Sequence, residues 1–161
     1  MKKRTLLSAA FSFSFCMLLG SAFAAAMPYN ESADAKADVR AALAAAQSAK
    51  KPVLVIFGAN WCEDCRALDT SLKTPQNAEL MASHFVVVKV DVGRFDRNLD
   101  ISSVYGEPTK KGIPAAVVLS PGNEILYATR AGELSNARRM SDTGVYDFFR
   151  AAVATAAKAK P

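Results

Sequence analysis

Histidine is almost missing from this chain and cysteine is scarce, with one histidine and three cysteines in 161 residues. His84 alone, with no second cysteine pair, disfavours a four-ligand zinc site. Covalent haem attachment is disfavoured too, because Arg66 and not histidine follows Cys65. No Gly-x-Gly-x-x-Gly fingerprint occurs, so no nicotinamide or flavin is expected, and no other cofactor is. No Lys/Arg stripe interleaved with aromatics appears, which removes nucleic acid from the expected partners. Internal repeats are absent, and low-complexity sequence is confined to the alanine-rich ends.

The chain also lacks an apolar run of membrane-spanning quality. The stretch from Leu6 to Leu19 contains Ser8, Ser12 and Ser14 and falls short of about 20 strongly apolar residues. Basic Lys2-Lys3-Arg4 precedes it and small residues at Ala22-Phe23-Ala24 follow it, so residues 1–24 read as a secretory signal, with Ala26 as the alternative end. A membrane anchor is the competing reading, disfavoured by the same serines. Cys16 does not suit lipid attachment, since Phe15 is bulky where lipoprotein signals place a small residue, and it is expected to leave with the signal. The expected compartment is the periplasm, with no stable membrane insertion after cleavage.

Losing Lys2, Lys3 and Arg4 lowers the net charge from +5 to +2, so part of the basicity belongs to the signal. The remaining residues, 25–161, amount to one domain, large enough to bury a core without a structural disulfide. Its two cysteines are therefore free for chemistry. They stand in Trp61-Cys62-Glu63-Asp64-Cys65, directly after the apolar run Pro52 to Phe57 and the turn Gly58-Ala59-Asn60. At the start of a helix, a cysteine faces unpaired backbone N–H groups and the positive end of the dipole, which favour thiolate over thiol. Cys62 is thus the expected nucleophile. Cys65 lies one turn deeper on the same face, where its sulfur can reach Cys62 to close a disulfide. A four-residue ring constrains the unfolded chain little, so a passive staple is a poor reason for this pair.

The rest of the chain reads as alternating elements. Ser32 to Lys50 is an alanine-rich amphipathic helix with Val39, Leu43 and Ala46 at helical spacing. Pro52 to Phe57 is a strand buried on both faces. The cysteine helix buries Cys65, Leu68 and Leu72 and turns Arg66, Asp69 and Lys73 outward, with Pro75 kinking or ending it. Gln76 to Ser83 is helical and Phe85 to Val92 is a strand, making a right-handed parallel crossover with the first. After a polar connection with a short helix over Asn98 to Tyr105, strands at Pro114–Ser120 and Glu124–Arg130 flank the turn Pro121-Gly122-Asn123. A helix from about Thr143 to Lys158 ends the chain.

Strand, Trp-Cys-x-x-Cys helix, strand, then Ile113-Pro114 opening a hairpin before a last helix: from about Pro52 to Phe149 this resembles the thioredoxin superfamily. The runs Gly58 to Cys62, Asp91 to Asp96 and Gly132-Glu133-Leu134 are similar to exported bacterial thiol-disulfide interchange proteins and disulfide isomerases. The resemblance implies an α/β thioredoxin-like fold, with a central mixed sheet of about four strands flanked by helices and an N-terminal helix. It implies a cis peptide at Pro114 beside the sulfurs and substrate backbone pairing at Ile113, while Trp61, an amphipathic ring next to Cys62, reads as an apolar docking surface with a purely packing role as the alternative. The resemblance also implies protein or peptide disulfides as substrates and a membrane thiol protein as electron donor. One departure stands out. Members usually carry an aspartate six residues before the first cysteine, and here that residue is Ile56. Glu63, Asp64 or Asp69 are the candidates to take over, though Asp69 suits a surface pair with Arg66 or Lys73 better.

Glu63 and Asp64 place negative charge beside the Cys62 thiolate and so favour the disulfide form, which predicts a couple on the reducing side. Arg66 opposes them. Lys110 and Lys111, and equally Arg138 and Arg139, read as solvated surface charge rather than steering groups. The alternative function is a copper-binding relative that uses the two thiolates for a soft ion, although His84, the lone histidine, is expected to be an ordinary loop or strand-end residue.

Overall fold

Six consecutive residues, Val53–Gly58, form β1, and all six are buried. An unbroken apolar run of this kind has no solvent face and needs cover on both sides. In the computed structural model, which describes residues 27–159, that cover comes from helices on each face of a four-stranded sheet. The expected signal at residues 1–24, its alternative end at Ala26, and Cys16 lie outside the described residues.

β1 pairs in parallel with β2, Val86–Asp91, in a register running from Val53 opposite Val86 to Gly58 opposite Asp91. On its other side it pairs antiparallel with β3, Ala115–Leu119, which pairs antiparallel with β4, Ile125–Ala128. The order β2-β1-β3-β4 is the expected mixed sheet. β3 starts one residue after Pro114, which has no N–H to give the ladder. β4 is shorter than Glu124–Arg130, and the β3–β4 register shifts between Val118 and Leu119.

The two faces sort by the alternation of β1. Val53, Val55 and Phe57 pack with Val39, Ala42 and Ala46 of α1, Ala35–Ala49, and with Ile101 of the short α4, Leu99–Val104. Leu54 and Ile56 face α2, Glu63–Leu72, α3, Pro75–His84, and α5, Asp142–Lys158, through Leu68, Leu80, Val145 and Phe149. Full burial of side chains such as Phe57 and Phe149 stabilises the fold by roughly 1.5–3 kcal/mol each.

Helix ends follow local chemistry. α1 begins at Ala35 rather than Ser32 because the Asp34 carboxylate accepts the Ala37 N–H and caps it. Pro75 is the first residue of α3, a position where its missing N–H costs nothing, so it separates two helices instead of bending one. Asp69 departs from expectation. It is a buried residue of α2 rather than an outward one, because Lys89 on β2 meets it as well as Lys73.

Candidate active site

The turn after β1 is held from the N-terminal side of the molecule. Asn60 Oδ1 accepts the Tyr29 N–H at 2.9 Å, while its amide nitrogen donates to the Tyr29 carbonyl at 2.8 Å and to Glu31 at 2.9 Å. Arg66 donates to the Asn60 carbonyl at 2.7 Å, so the cation expected to oppose the acids is committed to the turn itself.

Cys62 is the N-cap of α2, and its sulfur accepts the Cys65 N–H at 3.1 Å. This is the helix-start geometry in which backbone donors stabilise a thiolate. The two cysteines are joined by a disulfide, their Cα atoms 5.2 Å apart. Their exposures differ in the way exchange requires: Cys62 keeps 6 % of its surface and Cys65 none. An incoming disulfide therefore meets Cys62 first.

Ile113 lies against Cys62. The Ile113–Pro114 peptide is cis, the conformation that the resemblance implies, and the Ile113 carbonyl oxygen stands 3.6 Å from Cys62 Sγ. Trp61 is 46 % exposed, its indole N–H donating to the Gly93 carbonyl at 2.7 Å and its ring meeting Phe95 edge to face at 6.5 Å. Arg94 lies over the same indole, 5.7 Å from its centroid. Phe95 and Leu99, both exposed, continue the apolar ledge into a cleft of about 320 Å³ that reaches Gly112, next to Ile113.

Glu63 and Asp64 occupy the first turn of α2, where an exposed arginine meets them. Arg138, read from sequence as solvated, bridges them. Its backbone N–H donates to Asp64 Oδ1 at 3.0 Å and its guanidinium to Glu63 Oε2 at 2.8 Å. Lys110 pairs with Glu107, both well exposed, and stays on the surface as expected.

Ile56, at the position where a carboxylate was missing, is buried in the core beside Lys89, its partner on β2. Lys89 Nζ binds Asp69, and Lys73 Nζ donates to the same carboxylate at 2.7 Å. Burial alone would raise the Asp69 carboxyl, but the hydrogen bonds from Lys73 and Lys89 outweigh it and hold the group below its ordinary range. Two further buried groups escaped sequence reasoning. Asp91, at the end of β2, is raised by burial, which outweighs Arg97 and the Gly93 N–H. Tyr29 is raised further, first by burial and then by Asp69 and Asp91. Tyr29, between Pro28 and Asn30 ahead of α1, carried no signal of this placement, whereas Asp91 was read only as a strand residue and as part of a run that carried the resemblance.

His84 is the last residue of α3, beside the start of β2 and so at the opposite end of the sheet from Cys62. Among the described residues, no group of three or more His, Cys, Asp or Glu side chains is gathered to hold a metal. No described helix is long and apolar enough to cross a membrane.

A thioredoxin-like family model matches residues 34–121. A search of curated proteins finds no significant match. Among solved structures, the disulphide isomerase from Xylella fastidiosa Temecula1 is 55% identical, covers 80% of this chain and 98% of its own, and superposes with a TM-score of 0.78. A thioredoxin from Thermus thermophilus shares the fold at 24% identity, covering 74% of this chain and 85% of its own, with a TM-score of 0.53. A DsbH oxidoreductase does so at 16% identity, 70% and 79% coverage and a TM-score of 0.53. With the family model spanning more than half of the chain and a solved relative identical at more than half of the compared positions, this protein belongs to the thioredoxin-like family.

Proposed function

We propose that the protein is a thiol-disulfide oxidoreductase of the cell envelope that reduces or reshuffles protein disulfides through Cys62 and Cys65, exported to the periplasm with residues 1–24 removed. The observation that carries this reading is the disulfide itself: Cys62, which keeps a small exposure, on a helix N-terminus, its partner fully buried, and the Ile113 carbonyl alongside. The name of the Xylella relative supports isomerisation as part of the activity.

In the reduced protein, the Cys62 thiolate attacks one sulfur of a substrate disulfide. A bond forms between Cys62 and that sulfur, and the other substrate sulfur leaves as a thiolate that takes a proton from water. Cys65, once deprotonated, attacks Cys62 Sγ, closing the Cys62–Cys65 disulfide and releasing the second substrate thiol. Two electrons have passed to the substrate. In isomerisation the substrate's own thiol displaces Cys62 instead, with no net electron transfer. Trp61, Phe95 and Leu99, all exposed, form the surface on which an apolar substrate segment rests, and the Ile113 backbone beside Cys62 is the strand-like pairing site that the resemblance implies. A membrane thiol protein returns the couple to its reduced state.

Glu63 and Asp64 raise the energy of the reduced site, and Arg138 offsets only part of this, because an exposed ion pair in water is weak. The potential is expected nearer that of thioredoxin, about −270 mV, than that of the periplasmic oxidase, about −120 mV. Redox titration in metal-free glutathione or dithiothreitol buffers, followed by reactivation of a scrambled multi-disulfide protein, tests the reading. Cys62→Ser should abolish turnover, while Cys65→Ser should trap mixed disulfides. Failure to form the intramolecular disulfide would defeat the proposal and bring the copper reading forward.

A further inference from the structure

Cys65 is fully buried, yet its thiol must shed a proton before it can resolve a mixed disulfide. Water does not reach that sulfur directly, so the polar groups behind it decide where the proton goes. Two buried ones stand at this end of the sheet, Tyr29 beside the sulfur and Asp91 across the strand pair from Gly58. Tyr29, tied by its backbone to Asn60, lays its ring across Gly58. A Cβ on Gly58 would overlap the Tyr29 hydroxyl and stand 3.0 Å from Cys65 Sγ, so hydroxyl and sulfur flank the space of that one absent side chain. Gly58 is the register partner of Asp91, and strand alternation puts Asp91 and Lys89 on the same face.

Asp91 has a side chain only 3 % exposed. Its Oδ2 accepts from the Gly93 N–H at 3.2 Å and from Arg97 at 3.3 Å, while its Oδ1 is buried with no hydrogen-bond partner among the described residues. A buried carboxylate oxygen left unpaired is costly, and such a group invites a proton. The other charged and titratable groups nearby are Asp69 and Cys62 of α2, Lys89 of β2 with its ammonium 5.9 Å from the Tyr29 ring centroid, and Glu31, Asp96 and Arg97 around Asp91.

We infer that Tyr29 and Asp91 form the proton exit of the resolving cysteine: the Tyr29 hydroxyl accepts the Cys65 thiol proton as it passes its own, through one bridging water, to Asp91 Oδ1, whose lone pair no protein group among the described residues fills. The balance is one proton, with Cys65 ending as thiolate, Asp91 as carboxylic acid and Tyr29 neutral throughout. Burial suits each part, since it holds the phenol neutral and lifts the Asp91 carboxyl towards the range where it can take a proton. The inference rests on the exchange mechanism proposed above.

A single-turnover reaction of the reduced protein with an aromatic disulfide, bis(nitrobenzoate) disulfide, separates the steps. The first thionitrobenzoate release reports attack by Cys62 and the second reports resolution by Cys65. Tyr29→Phe, which keeps the ring, should slow the second release about tenfold at pH 7 and move its pH midpoint upward, while leaving the first within about twofold. Asp91→Asn should slow the same phase, and the double variant should be no slower than the slower single one, as expected of one relay. A second release in either folded variant within twofold of the parent, with an unmoved midpoint, overturns the relay. Asp91→Asn alone decides the matter if Tyr29→Phe does not fold. Absence of the first release in the parent protein would instead sink the oxidoreductase reading.

Discussion

Arg138 holds both acids of the Cys62–Cys65 turn, and without it their charge faces the Cys62 thiolate unopposed. Arg138→Ala should therefore make the couple more reducing by on the order of 10 mV, a shift set by the modest worth of an exposed pair. Redox titration beside the parent protein reads this directly, and a shift toward oxidising potential would reverse the assigned polarity. Asp69 is the second residue to test. Its carboxyl is depressed in the folded state, so the stability it contributes is present above the ordinary carboxylate range near pH 4 and is lost as pH falls through the depressed value. Asp69→Asn should cost about 2 kcal/mol at pH 7, less than a fully buried pair because Lys73 is exposed, and should melt with a smaller acid loss between pH 4 and pH 2. Thermal melts across that window check both statements. At this scale legibility followed sequence distance. Cys62, Cys65 and Trp61 are contiguous and were readable as one motif, and Pro114 was readable through resemblance. Arg138 meets Glu63 across a separation of 75 residues, and Tyr29 meets Asn60 across 31, so no local pattern announced either.

Elements were the most legible level, for a physical reason. β1 and the helices around it are specified by apolar runs, capping residues and prolines, all of which act within a few positions. Where the reading failed, a partner element had intervened. Helical spacing turned Asp69 outward next to Lys73, and only the arrival of Lys89 on β2 draws it inward. The junction of β1 and α2 is equally a product of packing. Gly58 ends the strand without a side chain, and the ring of Tyr29 fills that space. Gly58→Ala would force the aromatic ring or Cys65 to shift, and overpacking of this kind costs roughly 1–3 kcal/mol. Urea unfolding should show that loss, with an unchanged dependence on denaturant if the native fold is retained.

For the molecule as a whole, redox state and folding are linked. Glu63 and Asp64 adjoin Cys62 in any conformation, but folding fixes them in the first turn beside its sulfur, so reduction should weaken the native state more than it weakens the unfolded chain. The oxidised protein is expected to melt about 5 °C above the reduced one, on the order of 1 kcal/mol for a domain of this size. Calorimetry with and without dithiothreitol measures the gap, and a higher melting temperature for the reduced form would mark an oxidase. One further property follows from Trp61, the chain's single tryptophan, whose half-open indole belongs to the residue next to Cys62. A disulfide drains excitation from a neighbouring indole by accepting an electron, and two separated thiols do so less well. Emission near 340 nm should therefore brighten on reduction and stay constant when Cys62→Ser is given the same reductant. The protein carries its own optical gauge of oxidation, readable without dye or label in a stopped-flow cell.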